Sequence, residues 1–229
     1  SLHDALPILP FENQLGLEGS EEYAVVFNGA VVQDLSGKVL MSQEMDYRDF
    51  EVMLRLQRLA HVNLHFETTE RFWTLDRDLS VQMQINAALT DNEIRVRERK
   101  EIPQDFTFNK VGFTCPKDSD QIEKLWNSIP YWAFESYDIV RSLDNCIELN
   151  GIGASKGNAL MNLAERLKIS PEDVMVFGDQ GNDVSIFENP SFKKIAMGNA
   201  IEDIKEKADF VTDDNDHNGI AKALKKFVI

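Results

Sequence analysis

Two acidic residues and an asparagine stand close together directly after a short apolar run. Residues 174–177 are Val-Met-Val-Phe, and they lead through Gly178 to Asp179, Asn182 and Asp183. Such a run predicts a buried strand, and α/β sheets bind their ligands beyond the carboxyl ends of their strands. Carboxylates at a strand end suit Mg²⁺, so we predict that Asp179 and Asp183 hold this metal. Asn182 could donate a hydrogen bond to a phosphate oxygen. The residues leave open a structural alternative, a turn in which Asp183 only caps the next helix.

A lysine upstream of these carboxylates completes the predicted site. Lys156 lies in a glycine-rich loop, residues 151–157, that opens a helix. A lysine in this position can neutralise a phosphoryl oxygen and stabilise charge in a transition state. Its alternative is an ordinary solvated lysine. The loop is not a Walker A sequence, and its third glycine falls one position late for a dinucleotide fingerprint. We therefore predict Lys156, Asp179 and Asp183 as the catalytic residues.

The elements that must position these residues alternate between strand and helix after Asn150. The pattern predicts helices at 156–167, near 183–188 and at 201–207, and strands at 174–177, 194–197 and 209–211. A further helix is expected after Gly219. Alternation of this kind with short loops predicts parallel β-α-β winding.

The preceding part of the chain has a different pattern. The predicted strands are 24–27, 30–33, 38–40, 62–67, 71–75, 106–114, 131–140 and 145–150, with Asn28-Gly29 as a hairpin turn. The predicted helices are 46–61, with Leu59 on its buried face, 78–88, and one that begins at Ser119 as N-cap. Strands with interspersed helices and little parallel-sheet signature predict an α+β module. We expect this module to be inserted between two pieces of one α/β core.

Composition limits the partners and the compartment. The 229 residues carry a net charge of −15, from 39 acidic and 24 basic residues, without a dense basic cluster. Nucleic acid and anionic membranes are therefore not expected as partners. No apolar run reaches bilayer-spanning length. The two cysteines lack metal-ligand spacing, which indicates ordinary thiols in a reducing cytoplasm.

Two further motifs are not expected to bind metal. Residues 214–219 imitate the start of an EF-hand loop, but its twelfth position would be Lys225 where a glutamate is needed. We therefore predict a polar turn before the last helix. His61 and His65 have i,i+4 spacing, but they straddle a predicted boundary between helix and strand. A zinc site is not expected there.

The first eight residues match, codon by codon, the translation of a common sequencing-library adapter. We treat residues 1–8 as a processing scar outside the fold. The natural protein is then expected to begin upstream, and the chain to be a truncated reading frame.

Several runs in the chain together resemble one family. They are Phe27-Asn28-Gly29-Ala30, Ser155-Lys156-Gly157-Asn158-Ala159-Leu160, Gly178-Asp179-Gln180-Gly181-Asn182-Asp183, Ala196-Met197-Gly198-Asn199-Ala200, Ala208-Asp209 and Gly219. In this order they resemble the Cof-type sugar phosphatases of the haloacid dehalogenase (HAD) superfamily. The resemblance extends from about Leu9 to the C-terminus.

This resemblance implies a fold and a reaction. The fold would be α/β, a HAD-like Rossmannoid core formed by residues 9–40 and 150–229 with an inserted α+β cap formed by residues 41–149. The reaction would be Mg²⁺-dependent hydrolysis of sugar phosphates or similar small phosphorylated metabolites through an aspartyl-phosphate. Lys156 would hold the phosphoryl group, Asp179 would ligate Mg²⁺ and Asn182 would bind phosphate. Asp183 would orient Lys156 or the water shell of the metal.

The chain departs from the family at the nucleophile. The family's D-x-D-G-T motif, with its nucleophile and acid/base aspartates, and the following Ser/Thr motif would lie upstream of Leu9, and neither is present. Without the nucleophile, covalent transfer has no acceptor. We therefore expect an inactive, poorly stable fragment that lacks its N-terminal strands, from a gene encoding an active phosphatase. The alternatives are a non-catalytic metal- or phosphate-binding or regulatory remnant of the same fold and, third, a phosphotransferase such as a phosphomutase.

Overall fold

The computed structural model describes residues 16–17, 19–90, 92–115 and 120–228. The adapter-like segment 1–8 and the helix start at Ser119 lie outside these described residues. The chain divides into two compact units, one that ends at Ala154 and one that runs from Ser155 to Ile229. The division into core segments 9–40 and 150–229 with a cap at 41–149 stays a prediction.

The first unit contains a small antiparallel sheet of three strands, in the order β1-β2-β3. These are β1 (Tyr23–Val26), β2 (Val31–Asp34) and β3 (Val39–Ser42). The turn between β1 and β2 has positive φ at Phe27, Asn28 and Gly29 (52°, 56° and 102°). Asparagine and glycine tolerate this left-handed region, which is why their pairing indicates a hairpin. The predicted hairpin is confirmed.

A six-stranded sheet forms the larger part of the first unit, with the order β6-β5-β4-β7-β9-β8. Its strands are β4 (Asn63–Glu67), β5 (Arg71–Thr74), β6 (Glu93–Val96), β7 (Lys110–Thr114), β8 (Tyr137–Leu143) and β9 (Cys146–Gly151). All neighbours are antiparallel except β5 and β6, which are parallel. The predicted α+β character of this part is confirmed.

Among the described residues, four helices accompany this sheet. They are α1 (Tyr47–Gln57), α2 (Val81–Leu89), α3 (Asp120–Ser128) and α4 (Tyr131–Ser136). Helix α1 begins at Asp46, whose side chain accepts hydrogen bonds from the backbone N–H groups of Arg48 and Asp49. Its buried face packs Phe50 and Met53 into an apolar cluster with the sheet. Burial of this apolar surface is the main force that holds the layers together.

Three sequence predictions in this unit are wrong. Residues 131–140 are not one strand, because α4 ends at Ser136 and β8 follows. Aromatic residues favour strands, but Ala133 is buried in the core while the ring of Tyr131 is exposed, as on opposite sides of a helix. Of the strand predicted at 106–114, only residues 110–114 form a strand, β7. Strand β6 was not predicted. Leu59 lies beyond the end of α1 and is exposed rather than buried.

One face of the six-stranded sheet carries a buried polar cluster. His65 Nε2 lies 2.9 Å from Glu67 Oε1, and Lys110 Nζ lies 3.3 Å from Glu67 Oε2 and 3.2 Å from Glu148 Oε1. Asn28 Nδ2 donates to Glu148 Oε2 at 2.9 Å. These strand residues point to one face because side chains alternate along a strand and β4, β7 and β9 are neighbours. The cluster therefore ties the hairpin turn to the sheet.

The second unit is a parallel α/β arrangement. It contains α5 (Lys156–Leu167), β10 (Met175–Gly178), α6 (Val184–Phe187), β11 (Lys193–Ala196), α7 (Glu202–Lys207), β12 (Phe210–Val211) and α8 (Gly219–Phe227). The strand order is β10-β11-β12 and both pairings are parallel. The predicted β-α-β winding is confirmed, with each boundary within a few residues. In the described part of the chain, no helix is long and apolar enough to cross a membrane.

Candidate functional site

The candidate site lies at the carboxyl end of β10, where Asp179 follows Gly178. A Cβ atom at Gly178 would lie 2.7 Å from the ring of Phe187 and 2.9 Å from Asp183 Cβ. A side chain at this position would therefore push the following turn away from the strand. Glycine allows the chain to fold back, so that Asp183 returns to the strand end.

Asp183 is the most constrained residue of the site. It ends a 3₁₀ turn, Gly181–Asp183, and is only 4% exposed. Its Oδ2 accepts hydrogen bonds from the backbone N–H groups of Asp179 (3.1 Å) and Gln180 (3.4 Å), and its Oδ1 accepts one from Lys156 Nζ (2.7 Å). Asp183 therefore closes the turn and also holds Lys156, but its side chain makes no capping hydrogen bond to α6. The structural alternative, a carboxylate that only caps the next helix, is wrong, and a catalytic role for Asp183 stays a prediction.

Lys156 is the first residue of α5. The helix begins there because Ser155 is its N-cap, and the Ser155 hydroxyl accepts a hydrogen bond from the N–H of Asn158. The Lys156 side chain is 20% exposed, so its ammonium is paired with Asp183 but still reaches solvent. The structure thus brings Lys156 to the same strand end as Asp179 and Asp183. An ammonium so placed could bind an anion.

Helix α5 approaches the site closely at Gly157. The Gly157 N–H donates to the Ser185 hydroxyl at 3.2 Å, and a Cβ atom at Gly157 would lie 2.2 Å from the Ser185 carbonyl oxygen. No room exists for a side chain, so glycine at this position sets the distance between α5 and α6. The placement of Lys156 beside Asp183 depends on this contact.

We expect Gly157→Ala to lower the free energy of unfolding by about 2 kcal/mol, since an overpacked contact costs ~1–3 kcal/mol. Alanine favours a helix more than glycine does, so a loss of stability would come from the steric clash. Gly181→Ala is the matched control, because a Cβ atom there meets nothing within 4 Å. Urea unfolding of both variants checks this. Equal stability of the two variants would contradict the close contact.

Asn199 belongs to the site, although the sequence reasoning gave it no role. Its Nδ2 donates to Asp179 Oδ2 at 3.0 Å, and its Oδ1 accepts a hydrogen bond from the Asn215 N–H at 3.3 Å. It follows β11 as Asp179 follows β10. The rule that parallel strands bring their carboxyl ends to one edge could have found it.

Asn182, the predicted phosphate ligand, lies in the same turn. Its Oδ1 is buried and has no hydrogen-bond partner among the described residues. Buried polar atoms normally have a partner. This atom is closed to solvent, so it does not itself mark a position for phosphate, and phosphate binding by Asn182 stays a prediction.

The carboxylates offer one open ligand position for a cation. Asp179 Oδ1 accepts no hydrogen bond from the described residues, whereas both oxygens of Asp183 are engaged. The described residues contain no group of three or more His, Cys, Asp or Glu side chains that could hold a metal. Mg²⁺ suits this donor set, because it often takes one or two carboxylates and completes its shell with water and phosphate. Asp183 as a direct ligand stays a prediction.

Comparison with known proteins gives consistent matches. The family described as haloacid dehalogenase-like hydrolase matches residues 5–224. YxeH of Bacillus subtilis (strain 168), which is named as a phosphatase, is 31% identical over 218 residues, covering 95% of this chain and 80% of YxeH. Two solved structures, each 22% identical, share the fold. A haloacid dehalogenase-like hydrolase from Bacteroides thetaiotaomicron has a TM-score of 0.82, covering 98% of this chain and 83% of its own. The HAD subclass IIB sugar phosphatase BT4131 has a TM-score of 0.74, covering 96% of this chain and 79% of the BT4131 chain.

Proposed function

Because the chain belongs to the haloacid dehalogenase-like hydrolases and to their Cof-type phosphatases, we propose that its site serves Mg²⁺-dependent hydrolysis of small phosphate monoesters. The observation that carries this proposal is the meeting of three groups at one strand end. Lys156 offers a cation and Asp179 an open carboxylate oxygen, and Asn182 lies in the turn that joins Asp179 to Asp183. Together they suit a phosphate and a divalent cation.

Each residue has a separate task in this proposal. Lys156 binds a non-bridging phosphoryl oxygen and stabilises the negative charge of the transition state. Asp183 keeps the ammonium in place through its 2.7 Å contact. Asp179 binds the cation, and Asn182 binds a phosphate oxygen. Mg²⁺, when bound, supplies charge neutralisation at the phosphate and orients it.

The covalent step is not assigned to any residue of the chain. The family's nucleophile motif, D-x-D-G-T, does not occur in the 229 residues. We therefore propose that these residues bind and orient phosphate, and we predict no turnover by the 229-residue chain alone. The second candidate function, a non-catalytic phosphate-binding protein of the same fold, is favoured by the same observation.

Sugar phosphates are the proposed substrate class. The structural neighbour BT4131 is described as a sugar phosphatase, and a soluble sugar phosphate would need the cation and amide donors that the site offers. A cytoplasmic location is part of the proposal. Cys115 and Cys146 are both free and buried, as in a protein from a reducing compartment.

We expect inorganic phosphate, titrated in the presence of Mg²⁺, to shift the backbone amide resonances of Lys156 and Asn182. Lys156→Gln should weaken this binding about tenfold, because a charged hydrogen bond contributes ~1.5–3 kcal/mol. Lys207→Gln is the matched control. Lys207 forms an equally short 2.7 Å pair, with Asp203 on the exposed face of α7. Unchanged binding by Lys156→Gln, or shifts spread over surface lysines, would overturn the proposal.

A further inference from the structure

A hydrogen-bonded chain leads from the loop after β12 to the carboxylate of Asp179. The first link is the 3.0 Å hydrogen bond from Asn199 Nδ2 to Asp179 Oδ2. The second is the 3.3 Å hydrogen bond from the backbone N–H of Asn215 to Asn199 Oδ1. Asn199 is thus held at both ends of its amide, which fixes the direction of its N–H donors toward Asp179.

The segment that holds Asn199 is the polar turn that imitates a calcium loop. It is a 3₁₀ turn, Asn215–His217, whose N-cap is Asp214. Asp214 Oδ1 accepts a hydrogen bond from the His217 N–H at 2.9 Å. This cap closes the turn. The backbone N–H of Asn215, the first residue of the turn, points outward and donates to Asn199, because the first N–H groups of a helical turn have no partner within it.

The turn also lies directly against the end of β11. The Gly198 N–H donates to the Asp213 carbonyl at 3.2 Å, and a Cβ atom at Gly198 would lie 2.8 Å from the Asp214 nitrogen. The neighbouring residue, Asn199, is therefore within reach of the turn because Gly198 has no side chain. The packing that brings the two loops together is independent of the hydrogen bonds that Asn199 makes.

We propose that Asn199 is a positioning residue for Asp179 and that the turn Asp214–His217 is its support. Asn199 engages Oδ2 of a partly exposed carboxylate that would otherwise rotate, and it leaves Oδ1 directed to a divalent cation. The turn, which the sequence alone marks only as polar, thereby contributes to the cation site without touching the cation. This inference rests on the proposed function, in which Asp179 binds that cation.

The test is a Mn²⁺ titration of the ¹⁵N-labelled 229-residue chain, read as paramagnetic broadening of the amides around Asp179. Asn215→Pro removes the backbone N–H that donates a hydrogen bond to Asn199 Oδ1. Proline is tolerated at the first position of a helical turn, and the extended backbone of Asp214 (ψ 177°) suits a residue before proline. Asn215→Ala keeps the N–H and is the matched control. Asn199→Ala removes the whole link.

A second control separates this link from a general loss of a loop hydrogen bond. Asn189 Oδ1 accepts a hydrogen bond from the Ser191 N–H at 2.9 Å in another loop of the same unit. Asn189→Ala therefore removes a bond of the same kind away from the strand end. Its Mn²⁺ affinity should equal that of the unchanged chain.

We expect Asn199→Ala and Asn215→Pro to weaken Mn²⁺ binding at Asp179 about tenfold, the usual effect of losing a partner of a metal ligand. Asn215→Ala and Asn189→Ala should bind as the unchanged chain does. Equal affinity in all five proteins would overturn the role of Asn199 and leave the proposed function standing. If the unchanged chain showed no broadening around Asp179, both the inference and the proposed cation site would fall.

Discussion

Replacing Asp183 by alanine is expected to lower the free energy of unfolding by about 3 kcal/mol, because removing one partner of a buried ion pair leaves the other uncompensated. Asp183 and Lys156 have side chains that are 6% and 20% exposed. The substitution would also leave the backbone N–H groups of Asp179 and Gln180 without their acceptor. Such orphaned donors carry a desolvation cost of their own.

The matched control is Asp203→Ala. Asp203 pairs with Lys207 at the same 2.7 Å distance, but the two side chains are 53% and 35% exposed. An exposed pair on a helix contributes about 0.5 kcal/mol or less. Urea unfolding of both variants gives the comparison. Similar losses for Asp183→Ala and Asp203→Ala would show that the buried pair does not organise the strand end.

Replacing Glu67 by glutamine is expected to change how stability depends on pH. Burial lowers the pKa of His65 from 6.5 to about 4, despite the nearby carboxylates Glu148 and Asp76. Burial, aided by Glu148, raises the pKa of Glu67 well above 4.5 and outweighs the Lys110 ammonium 3.3 Å away. The two shifts act on stability in opposite directions.

His65 binds its proton more weakly in the folded chain than in the unfolded chain, so its contribution to stability rises with pH between the folded pKa of about 4 and the ordinary 6.5. Glu67 binds its proton more tightly in the folded chain, so its contribution to stability falls as the pH rises above its ordinary pKa of 4.5. The two contributions therefore offset one another in the unchanged chain above pH 4.5. In Glu67→Gln only His65 titrates, and stability rises by about 2 kcal/mol from pH 4.5 to 6.5.

Urea unfolding at pH 4.5, 5.5, 6.5 and 7.5 measures this difference, because other titrating groups cancel between the unchanged chain and the variant. Glu70→Gln is the control. Glu70 is an exposed glutamate paired with Arg71 at the start of β5, and its curve should run parallel to that of the unchanged chain. A Glu67→Gln curve that also ran parallel would contradict a raised pKa of the buried Glu67 carboxyl.

The second unit could be predicted well because its sequence signals are local. Ser155 is a good N-cap, Pro171 opens a short turn, and an apolar run of four residues, 174–177, stands before a polar loop. Each signal acts on neighbours in the chain, so helices and strands could be located without knowledge of the tertiary structure. The position of Asp179 at a strand end followed directly.

The first unit was predicted less completely because tertiary contacts decide its structure. Residues 131–136 are rich in aromatic side chains, yet they form a helix with Ala133 buried in the core. Strand β6 has only four residues, and its parallel pairing with β5 joins residues 22 positions apart in the sequence, such as Arg71 and Glu93. Neither contact leaves a periodic pattern in the local sequence.

The site shows the same division between local and distant signals. Lys156, Asp179 and Asp183 were predicted as one group from their residue types and spacing, and the structure places them at one strand end. Asn199 was missed because its role depends on two contacts, with Asp179 and with Asn215, that join separate loops. The buried cluster around Lys110 was missed for the same reason, since its charged members lie on three strands, β4, β7 and β9.

The most direct test of the site is a crystal structure of the chain grown with Mn²⁺ in place of Mg²⁺ and with inorganic phosphate, using the anomalous signal of manganese. We predict one manganese ion bound to Asp179 Oδ1, with a phosphate between this ion and Lys156 Nζ. Manganese bound elsewhere, or phosphate that avoids Lys156 while Asp179 stays unliganded, would contradict the assignment of this strand end as a phosphate and cation site.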